Sequence, residues 1–197
     1  MKIHRNLSLR FAAVVVLTVG LVGCGGDSKS SPHDGHTATQ ASEVPFDRAF
    51  IDGMVPHHQS AIAMAQAAKD AGLSNPDLVA IAKNIASSQQ REINQMRNWR
   101  KEWFGSSAID PNGADPLGLT MEQMGMQHVS TQFSDVGDLD AAFAEMMIDH
   151  HKGAIRMAKL AQKKGQHAET RNLADEIIEA QKREIRTMEE HTGEMHH

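Results

Sequence analysis

From about Pro45 to Asp70, apolar residues recur at helical spacing: Phe46, Phe50 and Met54, then Ala61, Ala65 and Ala68. Polar residues occupy the opposite positions, as in a helix with one buried face. Pro56 falls inside this segment, removes one backbone donor, and is expected to kink the helix. Gly72, then Ser74, Asn75 and Pro76, end it and open a second helix from about Asp77 to Phe104. The inward stripe of that helix reads Leu78, Ile81, Ile85, Ser88, Gln89, Glu92, Met96, Trp99 and Trp103. Residues 105–118 are loop by composition. Thr120 and Gln123 have capping-box spacing, which predicts a short helix from Met121 to about Thr131. A third helix follows from about Leu139 to Lys164, a turn at Gly165, and a fourth helix from about Glu169 to His191. No run of alternating β-branched residues predicts a strand.

The second half of this pattern restates the first. Residues 50–65 read FIDGMVPHHQSAIAMA and residues 143–158 read FAEMMIDHHKGAIRMA, an offset of 93. Phe50, Met54, His57, His58, Ala61, Ile62, Met64 and Ala65 recur as Phe143, Met147, His150, His151, Ala154, Ile155, Met157 and Ala158. Gln89, Glu92, Ile93 and Met96 recur as Gln181, Glu184, Ile185 and Met188, now at an offset of 92, so one residue is lost in the turn. Two amphipathic hairpins of matching length, 45–104 and 138–191, predict an all-α chain: a four-helix bundle with a pseudo-twofold axis.

What the repeat preserves is chemistry as well as packing. On a wheel of about 100° per residue, His57 and His58 lie within roughly 60° of Met54 and straddle the apolar stripe. His150 and His151 do the same around Met147, with Asp140 and Met157 on that face, and Asp47 shares the face of the first helix. Glu92 and Glu184 fall in the inward stripes of the second and fourth helices, where a carboxylate is costly without a partner. Each hairpin thus aims two imidazoles, one carboxylate and several thioethers at the interior. Any one of these residues alone has an ordinary reading, a histidine bonded to a carbonyl or a methionine filling a gap. The doubled set has no packing advantage over leucine and points to a metal ion.

Ligand softness narrows the ion. Imidazole with thioether and no thiolate suits Cu(I), and imidazole also suits Cu(II). Iron or manganese is the alternative, but di-iron bundles use four glutamates with two Glu-x-x-His pairs, and no such pair sits on an inward face here. The candidate metal residues are His57, His58, His150, His151, Met54, Met147, Met96, Met188, Glu92 and Glu184. Residues 121–128, MEQMGMQH, hold three methionines and His128, either as packing or as further metal capture. The tail 193–197, with Met195, His196 and His197 following His191, has the same two readings, solvated or metal-sequestering.

Composition fits this picture. Methionine and histidine stand at 12 each, aromatics at 4%, and tyrosine is absent. A formal charge of −5 and the lack of a long basic run exclude a phosphate-tracking nucleic-acid surface. The 197 residues are enough for one domain with a core. Residues 1–23 read as a targeting leader: Lys2, Arg5 and Arg10, then an apolar stretch from Phe11 to Val22. Leu21, Val22, Gly23 and Cys24 resemble a lipobox, which would make Cys24 the lipidated first residue of a mature lipoprotein anchored to the bacterial envelope. An ordinary secretory signal with a chance cysteine is the other reading. Cys24 is the only cysteine, so no intrachain disulfide can form. Residues 24–44 are small and polar, a flexible tether carrying His33 and His36. No catalytic triad or phosphate-cradling loop is present.

The pattern F-x-x-x-M-x-x-H-H-x-x-A-I-x-M-A, in two copies after a lipoprotein signal, resembles the secreted bacterial family called domain of unknown function 305. The likeness covers nearly all of residues 45–192. It implies a ferritin-like four-helix bundle without established enzyme activity, one branch of which binds copper and supports copper resistance. The matching positions here are Met54, His57, His58 and Met64, then Met147, His150, His151 and Met157. The leading expectation is a copper-binding lipoprotein outside the cytoplasmic membrane, for sequestration, buffering or resistance. The alternatives are a ferritin-like oxidase or peroxidase with two iron or manganese ions, and a structural or partner-binding bundle. An oligomer is compatible with all three. Pro56, where the second copy has Asp149, predicts that the two halves are not equivalent.

Overall fold

A computed structural model describes residues 44–133 and 136–192. The leader, Cys24, most of the tether and the tail 193–197 lie outside the described residues. Four helices make up the fold: α1 (Phe46–Asp70), α2 (Pro76–Phe104), α3 (Leu139–Lys164) and α4 (Ala168–Glu189). A single 3-10 turn, Asp115–Leu117, lies in the long connection, and no strand occurs among the described residues. The chain is all-α, as its periodicity predicts. α1 packs along α2, α3 along α4, and the hairpins meet chiefly through α1 and α3.

Local chemistry fixes the helix ends. The Asn75 side chain accepts from the backbone N–H groups of Asp77 and Leu78, and Asp138 accepts from that of Ala141. Gly105 ends α2 at φ +80°, a conformation glycine adopts without cost. Each hairpin is also stapled by the other. Asp140, in the first turn of α3, accepts from Ser74 N (2.9 Å), Ser74 Oγ (2.8 Å) and Asn75 N (3.1 Å) in the α1–α2 turn. Its pseudo-equivalent Asp47 accepts from Gln166 N (3.0 Å), His167 N (3.0 Å) and His167 Nδ1 (2.5 Å) in the α3–α4 turn. The pseudo-twofold axis therefore governs the turns as well as the helices.

The apolar core is divided in two. One cluster joins Phe50, Met54 and Val55 to Ile93, Met96, Met157, Leu173 and Ile177. The other joins Met64, Leu78, Ile85, Phe143, Met147 and Met188. Each contains three fully buried methionines, two from one hairpin and one from the other. The four histidines lie between the two clusters, at mid-length of α1 and α3.

Several expectations are corrected. α1 runs as one helix through Pro56, whose ring is exposed. The segment after Thr120 is one turn and not a helix to Thr131. The capping box does form, with Thr120 N to Gln123 Oε1 at 2.9 Å and Gln123 N to Thr120 Oγ1 at 3.1 Å. Gly125 then turns left-handed (φ +70°) and ends it. In α2 the buried stripe passes through Ile93 and Arg100, while Trp99 and Trp103 are half-buried at its edge. Trp103 stacks on Trp99 (5.3 Å between centroids) and on His167 (3.7 Å). Arg100 forms a two-pronged ion pair with Asp52, Nε to Oδ1 at 2.6 Å and Nη2 to Oδ2 at 3.0 Å. Both side chains are buried, and the pair holds the loop after α2 through Ser106 O and Asp110 N.

Candidate metal centre

α1 and α3 carry the paired histidines at the level where they cross the pseudo-axis, so the four imidazoles form one row. The rings of His57 and His150 lie 3.7 Å apart at their centroids. His58 lies 6.3 Å from His57, and His151 lies 6.4 Å from His150. The two halves thus meet in a single polar layer. All four histidines are at most 1% exposed.

Each Nε2 has a partner. His58 Nε2 meets Glu92 Oε2 at 2.6 Å and His151 Nε2 meets Glu184 Oε2 at 2.7 Å. These glutamates stand at the rim of the layer, their side chains 19% and 14% exposed, which moderates the cost of placing a carboxylate there. His57 Nε2 meets the Met124 carbonyl at 2.8 Å. His150 Nε2 meets Ser60 Oγ at 2.7 Å.

The other ring atoms have none. Nδ1 of His57, His58, His150 and His151 is buried without a hydrogen-bond partner, as is Oε1 of Gln89 and of Gln181. The two glutamines lie one turn before Glu92 and Glu184, 3% exposed, and repeat like the histidines. Sequence reading placed Gln89 in the stripe without assigning it to the site; its recurrence at Gln181 was the available signal. Six buried, unpartnered polar atoms on residues that repeat between the halves are unusual, since buried polar atoms are almost always paired. All six belong to group types that ligate metals or accept hydrogen bonds.

Burial chiefly, with the nearby His58 charge next, lowers the His57 pKa from 6.5 to about 3, against the raising effect of the Met124 carbonyl. Burial, then the neighbouring histidines, holds His150 well below 6.5. Both rings are neutral at physiological pH, which is the metal-ligating form of imidazole.

The site's lid comes from the connection after α2. Gly153 occupies the place in α3 that Ser60 occupies in α1, and a side chain there would collide with the Met124 carbonyl and Gly125 N. A side chain at Gly125 would strike the Asp149 carbonyl and His150 Cα. The backbone of 124–125 therefore lies directly on α3, held further by Arg156 Nη1 to Gln123 O at 3.0 Å. Met126 Sδ is 3.4 Å from Ser60 Oγ.

Met54 and Met96 lie in one flanking cluster, Met147 and Met188 in the other, all fully buried. His128 is exposed on the lid, and it lines a cavity of about 200 Å³ with Glu122, Met146, Asp149 and Arg156. His191 joins the α1–α2 turn through Asn75 Nδ2 (3.1 Å). Among the described residues, no three imidazole, carboxylate or thiolate groups already surround one point. His33, His36, His196 and His197 lie outside the described residues.

The sequence profile described as Domain of unknown function (DUF305) matches residues 27–100 and 47–192. CopM in its Cu(I)-bound form is 32% identical, with a TM-score of 0.58 over 73% of this chain and 93% of that one. The Ag-bound form of CopM obtained by soaking is 31% identical over the same shares, with a TM-score of 0.59. A DUF305 protein from Streptomyces coelicolor, described as secreted, is 25% identical, with a TM-score of 0.64 over 78% of this chain and 98% of its own. No curated protein matches.

Proposed function

The chain belongs to the DUF305 family, and on that premise we propose that it is an extracytoplasmic lipoprotein that binds copper for sequestration or buffering. The observation that carries this is the buried row of four imidazoles, His57, His58, His150 and His151, whose Nδ1 atoms have no partner. A layer left unsatisfied costs about 1–3 kcal/mol for each atom, and a bound cation removes that cost. The donor set is imidazole flanked by methionine clusters, without thiolate, which favours copper over iron or manganese. Cu(I) accepts low coordination numbers, so two nitrogens, with a thioether from Met54, Met147, Met96 or Met188, suffice. Glu92 and Glu184 supply negative charge at the rim. CopM, similar in fold and sequence, has Cu(I)-bound and Cu(II)-bound forms, which supports the same ligand class here.

Binding of this kind needs ligands and access only, so no catalytic group is assigned. The lipobox at Cys24 supports a lipid anchor to the envelope membrane, with the tether holding the bundle off it. No helix among the described residues is long and apolar enough to cross a membrane. The test is a Cu(I) competition titration of the chain from residue 25 onward. Sub-micromolar binding is expected, with a large loss on replacing His57, His58, His150 and His151 together by alanine. Unchanged affinity in that variant, shown folded by circular dichroism, contradicts the assignment.

A further inference from the structure

We propose that the ion is taken by Nδ1 of the histidines, and that Glu92, Glu184, Ser60 and the Met124 carbonyl are positioning groups that hold the Nε2–H of each ring. This deepens the metal-binding reading and rests on it. The partners of Nε2 fix where each ring carries its proton. The Met124 carbonyl can only accept, so His57 Nε2 carries the proton. Ser60 Oγ lies 2.7 Å from both the His57 carbonyl and His150 Nε2 and 3.4 Å from Met126 Sδ; its one proton, given to the carbonyl in the manner of a helical serine, leaves a lone pair for His150 Nε2–H. Glu92 and Glu184 present carboxylate oxygens to His58 and His151. All four rings are therefore Nε2–H tautomers. A second proton on Nδ1 would be a buried donor with nothing to receive it. The four Nδ1 lone pairs have no protein partner.

Metal-bound histidine usually donates its other N–H to a carboxylate or carbonyl, which fixes the ring and raises its basicity. Here that outer arrangement is complete before any ion arrives. It is also built twice by different means. Glu92 and Glu184 are strict equivalents at offset 92. Ser60 has no equivalent hydroxyl, because Gly153 stands in its place. The empty space at Gly153 admits the Met124 carbonyl, which does for His57 what the serine does for His150. The halves differ in sequence at this position and agree in the bond they make.

Long-range ¹H–¹⁵N imidazole spectra of the whole soluble chain, before and after addition of Ag(I), test this directly. Ag(I) is a diamagnetic stand-in for Cu(I). Without metal, all four rings are expected as Nε2–H tautomers. With Ag(I), the Nδ1 resonances of the binding rings should move while Nε2 keeps its proton. Glu92→Gln and Glu184→Gln keep an acceptor for Nε2–H and lose the charge, so Ag(I) affinity should fall clearly less than in the alanine variants. Glu92→Ala and Glu184→Ala should each cost about 10–100-fold. If Nε2 takes the metal-induced shift, or if the glutamine variants fall as far as the alanine ones, the glutamates are ligands and the proposal fails while metal binding stands. If no imidazole of the four responds to Ag(I), the proposal and the functional reading fall together.

Discussion

Asp52 and Arg100 are buried charges 48 residues apart, and each depends on the other. Arg100→Ala leaves the Asp52 carboxylate buried with only the Asp110 N–H and the longer Arg48 contact. Removing one partner of a buried pair costs about 3–5 kcal/mol, so urea unfolding should show a loss of that size. The double replacement Asp52→Leu and Arg100→Met should recover much of it, since apolar pairs of similar volume replace buried ion pairs well. The histidine row obeys the same rule from the other side. Burial holds His57 and His150 below the ordinary imidazole pKa, and the unpartnered ring nitrogens of the row stay available to a ligand. The methionines beside them fill both clusters as well as leucine would, which is why their doubling reads as chemistry.

At the scale of elements, two of the contacts that connect one hairpin to the other or to the lid are open to single substitutions. The Asp140 staple joins α3 to the α1–α2 turn. Burial pushes its pKa up, but hydrogen bonds from Ser74 N–H, Ser74 Oγ–H and Asn75 N–H outweigh that and hold the carboxyl below its ordinary 3.8. A depressed folded-state pKa means stability that is complete well above 3.8 and lost as pH falls through the lower folded-state value. Asp140→Asn should therefore lower stability at pH 7 and flatten the acid limb of a stability–pH curve; an unchanged acid limb contradicts the staple. The second contact is the lid on α3. Gly153→Ala places a methyl against the Met124 carbonyl and should cost about 1–3 kcal/mol. Hydrogen exchange should then rise at residues 120–126 and not in α4.

For the whole molecule, the repeat explains how much was legible in advance. Helix positions, the paired hairpins and the inward histidines follow from local periodicity and from an offset visible in the letters. Asp47 and Asp140 sit at that same offset, but their partners lie in turns of the opposite hairpin, which periodicity does not reveal. The Asp52–Arg100 pair has no counterpart in the second hairpin and so leaves no repeated signal. The lid was misread as a helix because its capping box is real, while the glycine contact that ends it depends on α3, distant in sequence. The difference between Ser60 and Gly153 was the letter-level trace of that contact. Pro56 lies within an uninterrupted α1, its ring exposed.

One metal centre is proposed in the polar layer where the hairpins cross. Anomalous scattering at the copper edge, from crystals of the soluble chain loaded with Cu(I), tests it most directly. A peak is expected within about 2.2 Å of Nδ1 of at least one of His57, His58, His150 and His151, at the bond lengths usual for imidazole ligands. Copper found only on His128 or the histidines outside the bundle, with the layer empty at full loading, would contradict it.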